Sequence, residues 1–330
     1  MISSVMSFLA AKPSGQLYPG WSLGIGLDSP ELLIRIRRKA WSRARHPFTI
    51  SWLDGLRVRV STLDETLRCL FVTGYYEPNE FMLVGKILKP GMTFIDVGAN
   101  LGLYTLFAAK KVGSEGVVLA LEPSSREFQK LRANVELNKL SNVRLLQGGA
   151  SDSASEGELL VAVEEYAGLN TLGAFGYDIA SHRKEVVRLE RLDDIVLREG
   201  LKQVDLLKMD IEGAEWFALQ GAVETLQKFR PILFLEVSDR MLKHQDCSSS
   251  QIWEFLVGLG YRFFAFDDHT GLPIPALRKR WFDSENLVAL HPTRAELWPS
   301  IGVSSNERKT DVNRLGSDPA ETPELGRTSR

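Results

Sequence analysis

One seven-residue stretch, Asp96-Val97-Gly98-Ala99-Asn100-Leu101-Gly102, constrains this chain more than any other. It follows the short apolar run Thr93–Val97 and opens Leu101–Val112, which reads as a helix. Glycine at such a strand-to-helix turn permits positive φ and a close approach of backbone to a ligand. The same rhythm then repeats. Val117–Leu121 reads as a strand, Ser124–Asn138 as a helix and Val143–Gln147 as a strand. Strands are also expected at Val204–Ile211, Arg230–Val237, Tyr261–Asp267 and Leu287–His291, with helices at Ala214–Lys228 and Ser249–Leu259. Glu158–Glu164 reads as an extra strand in a hairpin or insertion. The alternation predicts an α/β fold: a doubly wound, mostly parallel sheet with both faces covered.

At 44% apolar and 25% charged, 330 residues suffice for one such domain with extensions. Three regions are expected: an N-terminal extension over 1–88, the α/β domain over 89–292, and a disordered tail over 303–330. In the extension, Ser29-Pro30-Glu31 resembles a capped helix start. Leu32, Leu33, Ile36, Ala40 and Trp41 would form its apolar side, ringed by Arg35, Arg37, Arg38, Lys39 and Arg43. Residues 49–62 alternate around Asp54-Gly55, a hairpin signal. The stretch Met1–Ala11 lacks a basic leader, and no run approaches the ~20 apolar residues of a membrane-spanning helix. Cys69 and Cys247 stand far apart, outside any metal-ligand spacing. These features suggest a cytoplasmic protein with reduced thiols. The formal charge of -2 gives no global pull toward nucleic acid.

In an open α/β sheet, ligands bind beyond the carboxyl ends of the strands at the switch point. Two cofactor classes compete for the loop. A dinucleotide wants G-x-G-x-x-G, but here Asn100 and Leu103 occupy the second and third glycine places. Asp96, just ahead of Gly98, would repel a pyrophosphate and suits an ammonium group, such as that of S-adenosylmethionine. Glu122, at the end of the next strand, can accept both hydroxyls of an adenosine ribose. It fits either cofactor.

Acidic residues recur at the same edge. Lys208–Glu215 ends an apolar strand and opens a helix, and carries Asp210, Glu212 and Glu215. Glu215 suits a first helical turn. Asp210, taken as still within the strand, is expected to face the cleft with Glu212 beside it. Glu236 follows four apolar residues at the end of another strand. His182, His244 and His269 fall in expected loops near this edge, and Gly168–Tyr177 is a candidate wall of an acceptor pocket.

In order, these pieces resemble the FkbM-type methyltransferase family. The matching segments are Gly74–Glu80, Leu88–Thr105, Glu122-Pro123, Asn134 and Asn138, Asn170–Leu172, Leu192–Asp194, Lys208–Glu215, and Arg230-Pro231 before Glu236. The resemblance spans about 70–270. It implies a class I methyltransferase fold, with a seven-stranded Rossmann-like sheet in the order 3-2-1-4-5-7-6, and S-adenosyl-L-methionine as cofactor. It places Asp96, Gly98, Ala99, Asn100, Gly102, Tyr104 and Thr105 around the methionine part, Glu122 and Pro123 at the ribose, and Ala150 and Ser151 near the adenine. Asp210 is also set against the cofactor and, with Glu212 and Glu236, nearest the reaction. Glu77, Asn170 and Thr171 are assigned to the acceptor. The usual reaction is O-methylation of a sugar or other small-molecule hydroxyl, here with a carboxylate base and no metal. The rival readings are an NAD-dependent oxidoreductase and an RNA methyltransferase. An Asp/Asn-Pro-Pro-Tyr segment, which base-amine methylating enzymes share, is replaced here by Asp210-Ile211-Glu212-Gly213.

Overall fold

A computed structural model describes residues 30–179, 181–267 and 270–298, with side chains from residue 34. Ser29, His269 and the tail over 303–330 lie outside the described residues. The described residues open with helix α1 (Pro30–Trp41) and a hairpin of β1 (Phe48–Ser51) and β2 (Arg57–Val60). Asp54 (φ 52°) and Gly55 (φ 79°) turn the hairpin, as the Asp-Gly pair suggests. Helices α2 (Glu65–Thr73) and α3 (Pro78–Ile87) follow.

The central sheet has eight strands. In spatial order they are β12 (Pro273–Pro275), β11 (Arg262–Phe266), β13 (Glu285–Leu290), β10 (Ile232–Val237), β9 (Leu206–Met209), β3 (Thr93–Val97), β4 (Val117–Leu121) and β5 (Val143–Leu146). Strands β10, β9, β3, β4 and β5 run parallel, and β13 enters antiparallel between β10 and β11. Apart from the three-residue edge strand β12, this is the expected order of seven. The switch point falls between β3 and β9, which carry the glycine loop and the acidic turn.

Strand alternation sorts the core into two layers. Phe94, Val118, Leu206, Ile232 and Phe234 face one side, where α4 (Leu103–Val112), α5 (Ser125–Leu137) and the β1–β2 hairpin pack. Ile95, Val97, Leu207, Met209, Leu233 and Leu235 face the other, against α6 (Leu192–Arg198), α7 (Glu215–Gln220), α8 (Val223–Phe229) and α10 (Ser249–Gly258). Helix α9 (Asp239–Leu242) lies just beyond β10. Asn134 and Asn138 tie α5 to the hairpin and to the glycine loop on the same side of the sheet. Asn134 donates to the Leu101 carbonyl and accepts from the Arg59 N–H, and Asn138 pairs with the Arg57 backbone.

Several expectations need correction. Ile36 on α1 is 42% exposed while Arg37 is buried, so the helix face is rotated from the one expected. The Arg37 guanidinium reaches Gly74, where its long stem can lie along apolar surface. The single helix expected over Ala214–Lys228 is two, because a Cβ on Gly221 would lie 1.9 Å from the Ser151 carbonyl and holds the break close to that loop. The extra strand is longer than expected: β7 (Ser155–Ala162) pairs with β8 (His182–Glu190), which also pairs with β6 (Gly149–Ala150) in a separate small sheet. Among the described residues, no helix is long and apolar enough to cross a membrane.

Candidate active site

The alternation that builds the core also builds the site. Asp96 follows Phe94, Lys208 follows Leu206, and Glu236 follows Phe234, so all three project to the layer covered by the N-terminal elements. Asp96 and Lys208 are register partners across β3 and β9. Strand β9 ends at Met209, so Asp210 is the first residue beyond the strand rather than its last. Its N–H still bonds the Val97 carbonyl, which locks the two loops together.

A cleft of about 350 Å³ opens at this edge. Gly98, Asn100, Glu122, Pro123 and Ala150 line one part, and Tyr76, Glu77, Asp210, Glu212 and Glu236 another. Gly168, Leu169, Asn170 and Leu172 of the expected acceptor loop complete a wall. Ala99, Gly102 and Tyr104 line a small chamber beside it, together with Asp96, Asn100 and Lys208.

Some expected site residues act through their neighbours. Thr105 is fully buried and donates to Asp96 Oδ2 at 2.6 Å. Thr171 is buried and donates to the Glu212 carbonyl at 2.8 Å. Ser151 sits behind Ala150, its N–H bonded to the Glu190 carbonyl. Glu215 folds its carboxylate onto the N–H groups of Ile211 and Gly213, closing the acidic turn. His182 stacks edge-on against Phe175, and Tyr177 lies under Arg240.

The chamber carries the clearest demand for a ligand. Asp96 Oδ1 and Asn100 Oδ1 are both buried without a hydrogen-bond partner. Two orphan acceptors in one polar chamber call for a donor-rich cationic group, and the amino group of a methionine moiety fits. Burial raises the Asp96 carboxyl, while the Lys208 charge and the Thr105 hydroxyl oppose the rise.

Glu122 is the second anchor. Its two oxygens accept from the Asn100 N–H (2.8 Å) and the Ser124 N–H (2.9 Å). That fixes the carboxylate at the cleft wall and leaves lone pairs for further donors. Burial pushes its pKa up to about 8, against those two hydrogen bonds. Ribose hydroxyls donating to it would favour the ionised form.

The acceptor side holds a carboxyl cluster. The nearest oxygens of Asp210, Glu212 and Glu236 lie within 4.8 Å of one another. Spacing of that kind admits a cation or shared protons, and the hydrogen bond between Asp210 and Glu236 is of the second kind. Burial raises Asp210, but the Lys208 ammonium 2.9 Å away and the hydrogen bond from Glu236 outweigh it and hold the carboxyl below its ordinary value. Glu236 and Glu212 are raised well above theirs, by burial and then by the Asp210 charge. Glu77 is pushed to about 7, by burial and the Asp210 charge, against a hydrogen bond from the Tyr104 hydroxyl at 2.6 Å. At neutral pH the cluster therefore has one firmly ionised member, Asp210, between carboxyls that retain protons.

Tyr76, Glu65, Thr66 and Tyr166 also line the cleft without having been expected. Of these, Tyr76 had a signal in the sequence, since it lies within the Gly74–Glu80 segment beside Glu77.

The strand order, the glycine loop and the acidic strand ends define the class I, S-adenosylmethionine-dependent methyltransferases. Residues 96–263, just over half of the chain, match the methyltransferase FkbM domain. The chain belongs to that family, whose cofactor is S-adenosylmethionine. Methyltransferase sdnD of Sordaria araneosa is 36% identical over 157 residues, covering 39% of this chain and 60% of that protein. The 31-O-demethyl-FK506 methyltransferase FkbM of Streptomyces tacrolimicus is 29% identical over 168 residues, 42% of this chain and 62% of its own length. The 2-O-methyltransferase NoeI of Sinorhizobium fredii is 26% identical over 174 residues, 48% of this chain and 69% of its own. The match thus spans about 60% of the length of sdnD and FkbM.

Proposed function

We propose that the protein transfers a methyl group from S-adenosylmethionine to a hydroxyl of a saccharide or other small metabolite, with Asp210 as general base. The observation that carries this reading is the Asp210 carboxyl just beyond β9, paired with the Lys208 ammonium at 2.9 Å and lining the same cleft as Gly98, Asn100 and Glu122. Relatives whose names specify O-methylation, FkbM and NoeI, support hydroxyl as the acceptor group. Seven acidic side chains and no lysine or arginine are among the residues that line the cleft, which gives the phosphate backbone of an RNA acceptor no cationic partner there.

When bound, the cofactor supplies an electrophilic methyl group on a sulfonium centre. Asp96 and Asn100 would hold its amino group and Glu122 its ribose. The protein's task is then alignment and removal of one proton. Asp210 accepts the acceptor hydroxyl proton, which makes the oxygen a competent nucleophile. Glu236, held by the Ser284 hydroxyl, donates to Asp210 and fixes its orientation. Glu77 and Asn170 line the same cleft, where an acceptor hydroxyl can be bound. The carboxyls share protons among themselves, and we assign no metal.

The test is a screen of hydroxylated saccharides and small metabolites with methyl-labelled S-adenosylmethionine. Label in an acid-stable ether supports the reading. Label on nitrogen or carbon, or only in RNA, removes it.

A further inference from the structure

The proposed reaction needs an ionised base inside an acidic pocket, and that is electrostatically unfavourable. Asp210 faces Glu212 on its own turn, Glu236 from β10, Glu77 from the start of α3 and Asp96 from β3. The Tyr76 and Tyr104 hydroxyls add no positive charge. Lys208 supplies the opposing charge. The residue is 3% exposed, its Nζ lies 2.9 Å from Asp210 Oδ2, and it sits 4.8 Å from the centre of the Tyr104 ring. Buried ammonium groups ordinarily lose their proton. This one is held the other way, because Asp210, Asp96 and Glu77 surround it.

The geometry points to Lys208 as a positioning residue that orients Asp210 and keeps it charged, through an ion pair between the cofactor chamber and the acceptor side of the cleft, whose lysine is buried. The ring of Tyr104 and the register partner Asp96 fix the ammonium from the other directions. Phe234, its neighbour on β10, packs beside the same tyrosine at 6.0 Å. Lys208 therefore has one arrangement available and presents its charge to one carboxylate oxygen. Without it, burial would drive a proton onto Asp210 against the hydrogen bond from Glu236 alone, leaving the neutral acid in place of the base. Because Lys208 also belongs to the chamber with Asp96 and Asn100, it links the cofactor's seat to the base.

This inference rests on Asp210 being the base, but its test reads the charge of Asp210 directly, so the two can fail separately. Protein labelled with carbon-13 at aspartate carboxyls is titrated from about pH 5 to about pH 8. The Asp210 signal is identified by its loss in Asp210→Asn. In the wild type it should stay ionised across the range. In Lys208→Met its midpoint should rise into the titrated range, and Lys208→Arg, which keeps the charge, should restore most of the wild-type behaviour. A cooperative thermal melt reports whether each variant is folded, with Lys208→Gln as the substitute should Lys208→Met fail. A folded Lys208→Met or Lys208→Gln whose Asp210 remains ionised overturns the inference. So does a wild-type Asp210 that titrates within the range, a measurement that needs no lysine variant.

Discussion

Gly98 and the carbonyl of Asp210 are in direct apposition: a Cβ built on Gly98 would lie 2.0 Å from that oxygen. The cofactor loop and the turn that carries the proposed base are thus packed backbone to backbone. Gly98 also has φ +80°, which side-chain-bearing residues adopt only at a cost of roughly 1–3 kcal/mol. Gly98→Ala should therefore displace both loops at once. We expect it to lower the melting temperature and to abolish S-adenosylhomocysteine binding. A folded variant that binds normally would contradict this packing.

Asp210→Asn removes the base while keeping its size and one acceptor. Cofactor affinity should stay near wild type, while turnover with an identified acceptor falls at least ~100-fold. Steady-state rates at saturating cofactor measure the second, calorimetry the first. An unchanged rate would take Asp210 out of the role.

Three carboxyls set a pH dependence. Glu122 is pushed up to about 8, and Glu77 and Glu215 to about 7, each chiefly by burial. The folded chain then keeps protons that the unfolded chain releases above its ordinary carboxylate range. Stability from these groups is present at low pH and declines as pH rises toward about 8. Melting temperature should fall between mildly acidic and mildly alkaline buffers. Cofactor binding should run the other way, because ribose donors favour ionised Glu122. S-adenosylhomocysteine should bind more tightly as pH rises through that range, releasing a proton detectable in buffers of different ionisation enthalpy.

Treatment with a chelator should leave both cofactor binding and methyl transfer unchanged, since Asp210 and Glu236 share a hydrogen bond rather than requiring a cation. Loss of transfer restored by magnesium would show that the carboxyl cluster works through a metal instead.

Most strands of the parallel sheet were readable because they are apolar runs closed by a glycine or an acid. Asp96, Glu122 and Glu236 were placed by that pattern alone. Strand β8 was not, because His182–Glu190 alternates charges with valine and leucine, and Val186 is 74% exposed. Its partner β7 and the two-residue β6 are what make it a strand. The face of α1 depends on where the Arg37 guanidinium finds Gly74, a contact set by α2 rather than by helical periodicity. Lys208 lay in plain view, two residues before Asp210 and therefore on the same face. Its importance depends on Asp96, Glu77 and Tyr104, which only folding brings to it.

The most direct test of the account is calorimetric titration with S-adenosylhomocysteine and, separately, NAD, on wild type and Glu122→Ala. Glu122 is bonded to the cofactor loop through Asn100 and lines the cleft, so its loss removes charge-assisted hydrogen bonds from the ribose seat. The account predicts that S-adenosylhomocysteine binds the wild type, that NAD does not, and that Glu122→Ala weakens the first by roughly 10–100-fold. Binding of NAD alone would contradict it and return the glycine loop to a dinucleotide.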